Sequence, residues 1–287
     1  MRWSVLPLVA ALVAPFSSVA SAAPPERKLT LPETPYRYAN PKLPPNFEER
    51  WVKALDTTPA DNPTTDAGAT LGRVLFYDTR LSGDGTYSCG TCHEQALAFT
   101  DGLANALGST GEVHRRGSMS LANVAYNSVL TWANPLMRTL EDQALVPMFG
   151  EHPVELGLAG KEDELLSRLE ADALYQQLFA VAFPQEAAPI SLNSIVKSIA
   201  AFERTLISGN SDYDRYFYQG QSTALSEGAK RGMLAFFSEK LECYHCHGTF
   251  NFMDSVVVEG SAFEEIFFHN TGLYNVCLLY TSPSPRD

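Results

Sequence analysis

The 287-residue sequence is poor in basic residues, with 21 Lys and Arg against 33 Asp and Glu and a formal net charge of −12. A nucleic-acid surface needs clustered Lys and Arg to neutralise phosphates, so this composition excludes nucleic acid as a partner. Long apolar runs are also missing after the N-terminal segment. No run there reaches the roughly 18 apolar residues of a membrane span, so we expect no membrane insertion of the mature protein.

The N-terminus has the three parts of a secretory signal peptide. Arg2 supplies a positive charge, residues 5–15 form a short apolar run, and Ala20-Ser21-Ala22 matches a small-residue cleavage site. We therefore predict a signal peptide over residues 1–22 and a periplasmic protein. A disordered or anchoring N-terminus is the alternative.

The chain lacks strand-like alternation of apolar and polar residues, which predicts an all-α fold. Proline is frequent over residues 23–63, which indicates an extended lead-in. Helical spacing of apolar residues then begins near Thr65, with Asp66 as a candidate N-cap. Further helical patterns cover residues 120–130, 138–146, 161–170, 174–183, 195–207 and 226–240. Ser191 or Asn193 is the candidate N-cap of the helix over 195–207.

Cysteine is scarce, and four of the five residues lie in two Cys-x-x-Cys-His pentapeptides. Two thiols three positions apart can each add to one vinyl group of a haem, and the adjacent His can then bind the iron. The pentapeptides therefore predict two covalently attached c-type haems. The predicted attachment residues are Cys89, Cys92, Cys243 and Cys246, and the predicted iron ligands are His93 and His247. Zinc half-sites or disulfides are the alternative reading of these cysteines.

Other residues of ligating type carry weaker signals. His114 lies in a glycine-broken loop after the first pentapeptide and is the strongest of the remaining histidines. Met119 and Met253 are candidate sixth iron ligands, although a methionine at helical spacing usually belongs to the core. We expect His152 and His269 to be solvated or structural.

With these motifs in place, the chain resembles the di-haem cytochrome c peroxidase and MauG superfamily. One signature runs from Leu71 to Cys89, and a second runs from Ala200 to the second pentapeptide. The middle segment, 118–157, is most similar to the branch that contains MbnH, an enzyme that modifies a partner protein. The resemblance covers about residues 60–276 and implies two cytochrome c-like haem domains packed together.

The resemblance also implies a division of the chain. A first, peroxide-reacting domain would cover 64–208, and a second domain would cover 209–276. The family normally continues well past Tyr274, so the second domain is expected to be truncated. Residues 277–287 resemble the translation of sequencing-adaptor read-through, and we predict that this tail is an artefact. A genuine short tail is the alternative.

Roles for individual residues follow from the same resemblance. His93 would bind the iron of the peroxide-reacting haem, and Glu155 matches the family's distal carboxylate. Gln143 matches a distal glutamine, Pro147 a pocket-lining proline, and Trp132 the tryptophan between the haems. A positioned carboxylate can move the proton that peroxide heterolysis requires. A surface carboxylate and a packing tryptophan are the alternative readings.

Two departures from the family affect the predicted cofactors. Peroxidases of the family often have an Asn calcium ligand near the position of Gly117, so calcium between the haems is left open. Some also have a loop histidine that blocks the first haem. His114 is offset from that position, so we expect an open, five-coordinate first iron and a second haem, bound by His247, that relays electrons.

Three functions are compatible with these features. The leading expectation is a periplasmic oxidoreductase that reacts with hydrogen peroxide and oxidises a side chain of a partner protein, in the manner of MauG and MbnH. The alternative is a cytochrome c peroxidase that takes electrons from a small cytochrome or cupredoxin. The third is an electron-transfer di-haem cytochrome, which would not need Glu155, Gln143 or Trp132.

Overall fold

The computed structural model of the protein describes residues 31–253, except 33, 35, 133 and 249. The predicted signal peptide over 1–22, the predicted tail over 277–287 and residues 254–276 of the second predicted domain lie outside the described residues. The helices and the candidate haem sites lie in the compact unit that contains residues from Thr34 onward.

Regular structure in the described residues is helical, and β pairing is limited there to isolated bridges. The helices are α1 (Arg50–Lys53), α2 (Asp66–Tyr77), α3 (Cys89–Cys92), α4 (Leu140–Phe149), α5 (Glu162–Glu170), α6 (Ala173–Ala182), α7 (Leu192–Glu203), α8 (Asp212–Phe217), α9 (Glu227–Phe236) and α10 (Tyr244–His247). Short 3-10 turns occur at Pro45–Glu48, Thr79–Leu81, Gln95–Leu97 and Val124–Tyr126. The all-α prediction is confirmed. Across the described range, every helix is too short or too polar to cross a membrane.

The larger core forms where α2, α4 and α7 pack together. The predicted apolar stripe of α7 is buried at Ile195, Ile199 and Phe202, as its helical spacing requires. α2 crosses α7 closely at Gly72, where an added Cβ would lie only 1.8 Å from the Ser198 carbonyl oxygen. Only glycine permits this close approach of the two backbones.

The helix starts follow the capping residues, with one correction. Ser191 caps α7 by accepting a hydrogen bond from the Ser194 backbone N–H. α2 is capped by Thr65, whose hydroxyl accepts from the Gly68 N–H at 2.9 Å, and not by Asp66. Asp66 is the first helical residue, and its carboxylate accepts instead from the Ala39 N–H at 2.7 Å.

The helical prediction over residues 120–130 is wrong except for the 3-10 turn Val124–Tyr126. Asn123 takes a left-handed conformation with φ of 59°. Its side-chain amide donates to the Ser208 carbonyl at 2.8 Å and its side-chain oxygen accepts from the Ser208 N–H at 2.7 Å. These bonds to a distant segment compete with helix formation. The helices predicted over 195–207 and 226–240 end earlier, at Glu203 and Phe236.

Part of the predicted lead-in is helical and packed. Residues 45–53 form a 3-10 turn and α1, and Phe47 and Val52 are buried in a second, smaller cluster. Tyr126 and Phe250 close this cluster, with ring centroids 5.2 Å and 5.5 Å from Phe47. The predicted domain boundaries near residues 64 and 209 stay predictions.

Candidate haem sites

The first pentapeptide forms α3, a single helical turn that presents its two cysteines three positions apart on one face. Ser88 caps this turn, and its backbone N–H donates to the Thr91 hydroxyl at 3.0 Å. Gly90 allows the turn to pack on α2, because an added Cβ would lie 2.4 Å from the Tyr77 ring. The middle residues of the motif therefore hold the turn in place while the thiols stay available.

The imidazole of His93 is oriented by the backbone. Its Nδ1 lies 2.8 Å from the Phe99 carbonyl oxygen. A carbonyl only accepts, so Nδ1 carries the proton and Nε2 keeps its lone pair for a metal. Burial lowers the pKa of His93, and the bond to Phe99 opposes this only in part. The neutral, ligating form of the imidazole is therefore favoured.

The second pentapeptide repeats this arrangement. His247, the last residue of α10, donates from Nδ1 to the Phe252 carbonyl at 2.6 Å. Its Nε2 is likewise left for a metal. His247 is solvent-exposed among the described residues, whereas His93 is half-buried.

Each of the two histidines lies beside a phenylalanine, at nearly the same distance and ring angle. Phe76 is 6.4 Å from the His93 ring at 44°, and Phe236 is 6.3 Å from the His247 ring at 43°. Each phenylalanine follows a glycine four residues earlier and precedes a second aromatic residue. This Gly-x-x-x-Phe-aromatic pattern recurs after 160 positions (232 − 72), so the sequence itself contains a signal for both aromatic pairs.

The residues present fit two c-type haems: each pentapeptide offers two thiols on one turn and one imidazole with a free Nε2. The alternatives fit less well. All four motif cysteines are unpaired, which argues against a disulfide. Between residues 31 and 253, leaving out the gaps, no three His, Cys, Asp or Glu side chains converge as ligands of one metal ion.

Glu155 lies in a segment that returns along the end of α4. Its carbonyl accepts from the Ser109 N–H at 2.8 Å, and the next residue, Leu156, donates to the Pro147 carbonyl at 2.9 Å. Burial raises the pKa of Glu155. The Glu155 carboxylate in turn raises the thiol pKa values of Cys92 and Cys89, although burial is the larger cause for both. The carboxylate therefore lies on the side of the first pentapeptide.

Gln143 and Pro147 lie one turn apart on α4 and are both half-buried. Proline has no N–H, so the helical hydrogen bond that residue 147 would donate to the Gln143 carbonyl is missing. The Pro147 carbonyl accepts from the Leu156 N–H and so holds the segment that carries Glu155. The structure thus brings Pro147 and Glu155 together at one end of α4, with Gln143 one turn away.

Trp132 is placed on a different segment and is 48% exposed. Its indole N–H donates to the Gly117 carbonyl at 3.4 Å. The guanidinium of Arg116 lies over its ring, 4.7 Å from the centroid, in a cation–π contact. Among the described residues, the indole thus packs beside Gly117 and Arg116, and its place between the haems stays a prediction.

Two of the remaining ligand candidates, His114 and Met119, lie near residues of the first candidate haem site. His114 has a buried Nε2 without a hydrogen-bond partner and interacts electrostatically with Glu155. The Met119 backbone lies near His93 and opposes the lowering of its pKa, although burial is the larger cause. Beside Gly117, the Ser118 hydroxyl donates to Asp101 at 3.3 Å. Calcium between the haems stays open.

A cluster of charged residues at the end of α7 was missed. Arg204 donates from Nη2 to both carboxylate oxygens of Glu141 on α4, at 2.8 Å and 2.7 Å, and both side chains are largely buried. Glu203 is 5% exposed, and its Oε2 has no hydrogen-bond partner. Burial raises the pKa of Glu203 to about 8, Arg204 lowers it and Glu141 raises it further. Helical periodicity marked α7 but could not show that these charges are buried.

The fold and the two motifs agree with comparisons to known proteins. The profile of the di-haem cytochrome c peroxidase family matches residues 66–223. The chain therefore belongs to the di-haem cytochrome c peroxidase family, which implies haem cofactors.

Its relatives carry two kinds of name. The methylamine utilization protein MauG of Methylophilus methylotrophus is 37% identical over 215 residues, which cover 74% of this chain and 61% of that protein. The cytochrome c peroxidase Ccp of Escherichia coli K12 is 31% identical over 230 residues, covering 80% of this chain and 45% of that protein. The chain thus spans about half to three fifths of the length of these relatives.

Solved structures agree with this assignment. The crystal structure of a MauG-like protein associated with microbial copper homeostasis superposes with a TM-score of 0.73 at 44% identity, covering 79% of this chain and 65% of that one. The di-haem peroxidase BthA of Burkholderia thailandensis superposes with a TM-score of 0.59 at 22% identity, covering 70% of this chain and 56% of that one, which supports the fold alone.

Proposed function

We propose that this protein is a periplasmic di-haem c-type oxidoreductase that reacts with hydrogen peroxide at the first pentapeptide and oxidises a side chain of a partner protein. The observation that carries the proposal is the placement of Glu155. Its side chain is half-buried, burial raises its pKa, and its charge acts on the thiols of Cys92 and Cys89. A simple electron carrier has no use for such a group.

A bound haem would supply the iron that binds peroxide and the two electrons that cleavage of the O–O bond requires. The protein's own groups would handle the proton. The Glu155 carboxylate takes the proton from the near peroxide oxygen and returns it to the leaving oxygen, which departs as water. Its raised pKa brings the group closer to neutrality, where proton exchange in both directions is efficient. Gln143 and Pro147 would line the same side of the site.

The position of Trp132 supports transfer of oxidising equivalents towards a partner. Its ring is half-exposed and lies beside the loop of Gly117. The second pentapeptide, with His247 as ligand, would relay electrons. The 44% identity to a MauG-like protein associated with microbial copper homeostasis agrees with the resemblance of residues 118–157 to the branch that contains MbnH, which modifies a partner protein.

A cytochrome c peroxidase that takes electrons from a small cytochrome or cupredoxin is the second candidate. The similarity to the Escherichia coli cytochrome c peroxidase Ccp favours it. The two candidates differ in the fate of peroxide. Rapid peroxide turnover with a reduced cytochrome supports the second. Oxidation of a partner side chain, detected by mass spectrometry, supports the first.

The role of Glu155 is tested by Glu155→Gln in the haem-loaded protein. We expect the reaction with peroxide, followed by stopped-flow absorbance, to slow about 10²–10⁴-fold, because the proton transfer is lost. Glu151→Gln is the matched control, since Glu151 is an exposed carboxylate in the same segment. An unchanged rate in Glu155→Gln, or no reaction of the wild-type protein with peroxide, contradicts the proposal.

Covalent attachment is tested by the haem content per chain. We expect two haems in the wild-type protein and one in either double variant, Cys89→Ala with Cys92→Ala or Cys243→Ala with Cys246→Ala. Denaturing electrophoresis with haem staining detects the covalent bond. Haem that is extracted by acidified solvent from the wild-type protein would show that the thioether assignment is wrong.

A further inference from the structure

Glu203 is a buried carboxyl group for which the proposed peroxide chemistry has no use. It is the last residue of α7, is 5% exposed, and leaves Oε2 without a partner. An unpartnered carboxylate in such a place is costly, because a buried charge needs compensation. The position therefore favours a carboxyl that carries its proton.

The surroundings of Glu203 connect it to the first pentapeptide. The preceding residue, Phe202, packs on Phe76 with ring centroids 5.2 Å apart, and Phe76 in turn packs against His93. Glu203 also interacts electrostatically with the thiol of Cys89. The packing of Phe202 and the effect on the Cys89 thiol thus connect Glu203 to the first candidate haem site.

Charged and titratable groups reach Glu203 from three packed elements. α4 contributes Glu141, whose charge favours the protonated form, and α3 contributes the thiol of Cys89. α2 brings Tyr77 against the neighbouring Phe202 at 6.3 Å. Arg204, the residue that follows α7, favours the ionised form. Glu141 already binds Arg204 through Nη2, so the cation's effect on Glu203 is partly neutralised.

We propose that Glu203 is a redox-linked proton site that compensates changes of charge at the first haem. A haem held at the first pentapeptide would exchange single electrons with an external electron donor or acceptor. Loss of one electron to the acceptor would be accompanied by breaking of the O–H bond of the Glu203 carboxyl and release of its proton to water. Gain of one electron from the donor would be accompanied by return of a proton from water to the carboxylate, so the buried region would keep its net charge. Compensation matters because charges interact more strongly in a protein interior than in water.

This inference rests on the first pentapeptide holding a haem, as proposed above, but not on its reaction with peroxide. Its test is a redox titration of the haem-loaded protein over a range of pH, without peroxide. The component that disappears in Cys89→Ala with Cys92→Ala belongs to the first haem. A failure to react with peroxide would therefore leave this experiment valid.

We expect the wild-type potential of the first haem to fall as pH rises through the range in which Glu203 ionises, because reduction then takes up a proton. Glu203→Gln should lose that pH-dependent component. Glu141→Gln should move the pH-dependent component of the potential to lower pH, since removing the Glu141 charge favours ionisation of Glu203. Glu170→Gln, which changes an exposed carboxylate on α5, is the control and should match the wild type.

Infrared difference spectra provide a second measurement that does not depend on folding of the glutamine variant. The reduced-minus-oxidised spectrum of the wild-type protein should gain a carbonyl band of a protonated carboxylic acid. The band should be absent from Glu203→Gln and present in Glu170→Gln. The proposal is overturned if the wild type lacks the band, or if Glu203→Gln keeps both the band and the wild-type pH dependence.

Discussion

Among single residues, Glu155 and Glu203 depend most on the fold, because burial changes the pKa of both carboxyl groups. Solvent exposure separates them from the many surface carboxylates of this acidic chain. Glu164, for example, has a lowered pKa because it bonds Arg168 on the surface of α5. The same residue type thus serves different purposes according to its contacts.

The raised pKa of Glu203 predicts how stability varies with pH. The carboxyl has a reference pKa of 4.5 in the unfolded chain and about 8 in the folded protein. The folded state therefore holds the proton more tightly than the unfolded chain does. The stability that this proton contributes is complete below the unfolded pKa and is lost as pH rises through the folded pKa. We expect the urea concentration at the midpoint of unfolding of the haem-loaded protein to fall as the pH is raised from about 5 to about 9.

Glu203→Gln should flatten this pH dependence, since glutamine does not ionise. Urea unfolding followed by circular dichroism measures the midpoint at each pH. Glu170→Gln is the surface control and should keep the wild-type slope. Equal slopes for Glu203→Gln and the wild type would mean that Glu203 ionises with an ordinary pKa.

At the scale of elements, the two helices that precede the pentapeptides share a sequence pattern but differ in packing. α2 buries seven residues and crosses α7 at Gly72. α9 buries none among the described residues, and an added Cβ on Gly232 would meet no atom within 4 Å there. Met233 of α9 and Phe237, which follows the helix, instead line a cavity of about 700 Å³, together with Trp51 and Tyr213.

This difference predicts opposite effects of one substitution at matched positions. Gly72→Ala should destabilise the protein by about 2 kcal/mol or more, because the new methyl group overlaps the Ser198 carbonyl. Gly232→Ala should instead stabilise α9 by up to about 1 kcal/mol, since alanine is the better helix former. Urea unfolding of both variants checks the signs. A large loss in Gly232→Ala would mean that another segment packs on this face.

At the scale of the whole molecule, the Glu141–Arg204 ion pair joins distant parts of the chain. It connects α4 to the end of α7, with the Arg204 side chain 3% and that of Glu141 14% exposed. The side-chain amide of Asn62, in the lead-in segment, donates to Glu141 at 2.5 Å and to the Lys197 carbonyl at 3.0 Å. These two bonds join the lead-in segment to α4 and α7. The helix that carries Gln143 and Pro147 is held in place by these contacts.

Breaking this pair on one side should be strongly destabilising. Arg204→Met leaves the Glu141 charge buried and unpaired, which costs about 3–5 kcal/mol. Combining it with Glu141→Leu removes both charges and should recover much of that loss. A double-mutant cycle measured by urea unfolding gives the coupling energy. Additive losses would show that the two side chains do not interact in solution.

Several features of this chain were predictable because they depend on neighbours in sequence. The two pentapeptides, the Ser191 cap and the apolar stripe of α7 are local patterns, and the helix and chemistry they predict do not require knowledge of distant contacts. The prediction over residues 120–130 was wrong because Asn123 binds Ser208, which is 85 positions away. Local spacing contains no information about such a partner.

The sequence by itself determined the all-α class, the resemblance to the family and the two pentapeptides that predict haem attachment, since these are carried by residues at short spacing. Only the tertiary structure decided which groups are buried and what they face. Glu155 is placed by bonds to Ser109 and to α4, and Glu203 by the packing of α7 against α2 and α4. Desolvation depends on atoms brought together from distant segments, so the protonation of these carboxyls is a property of the fold.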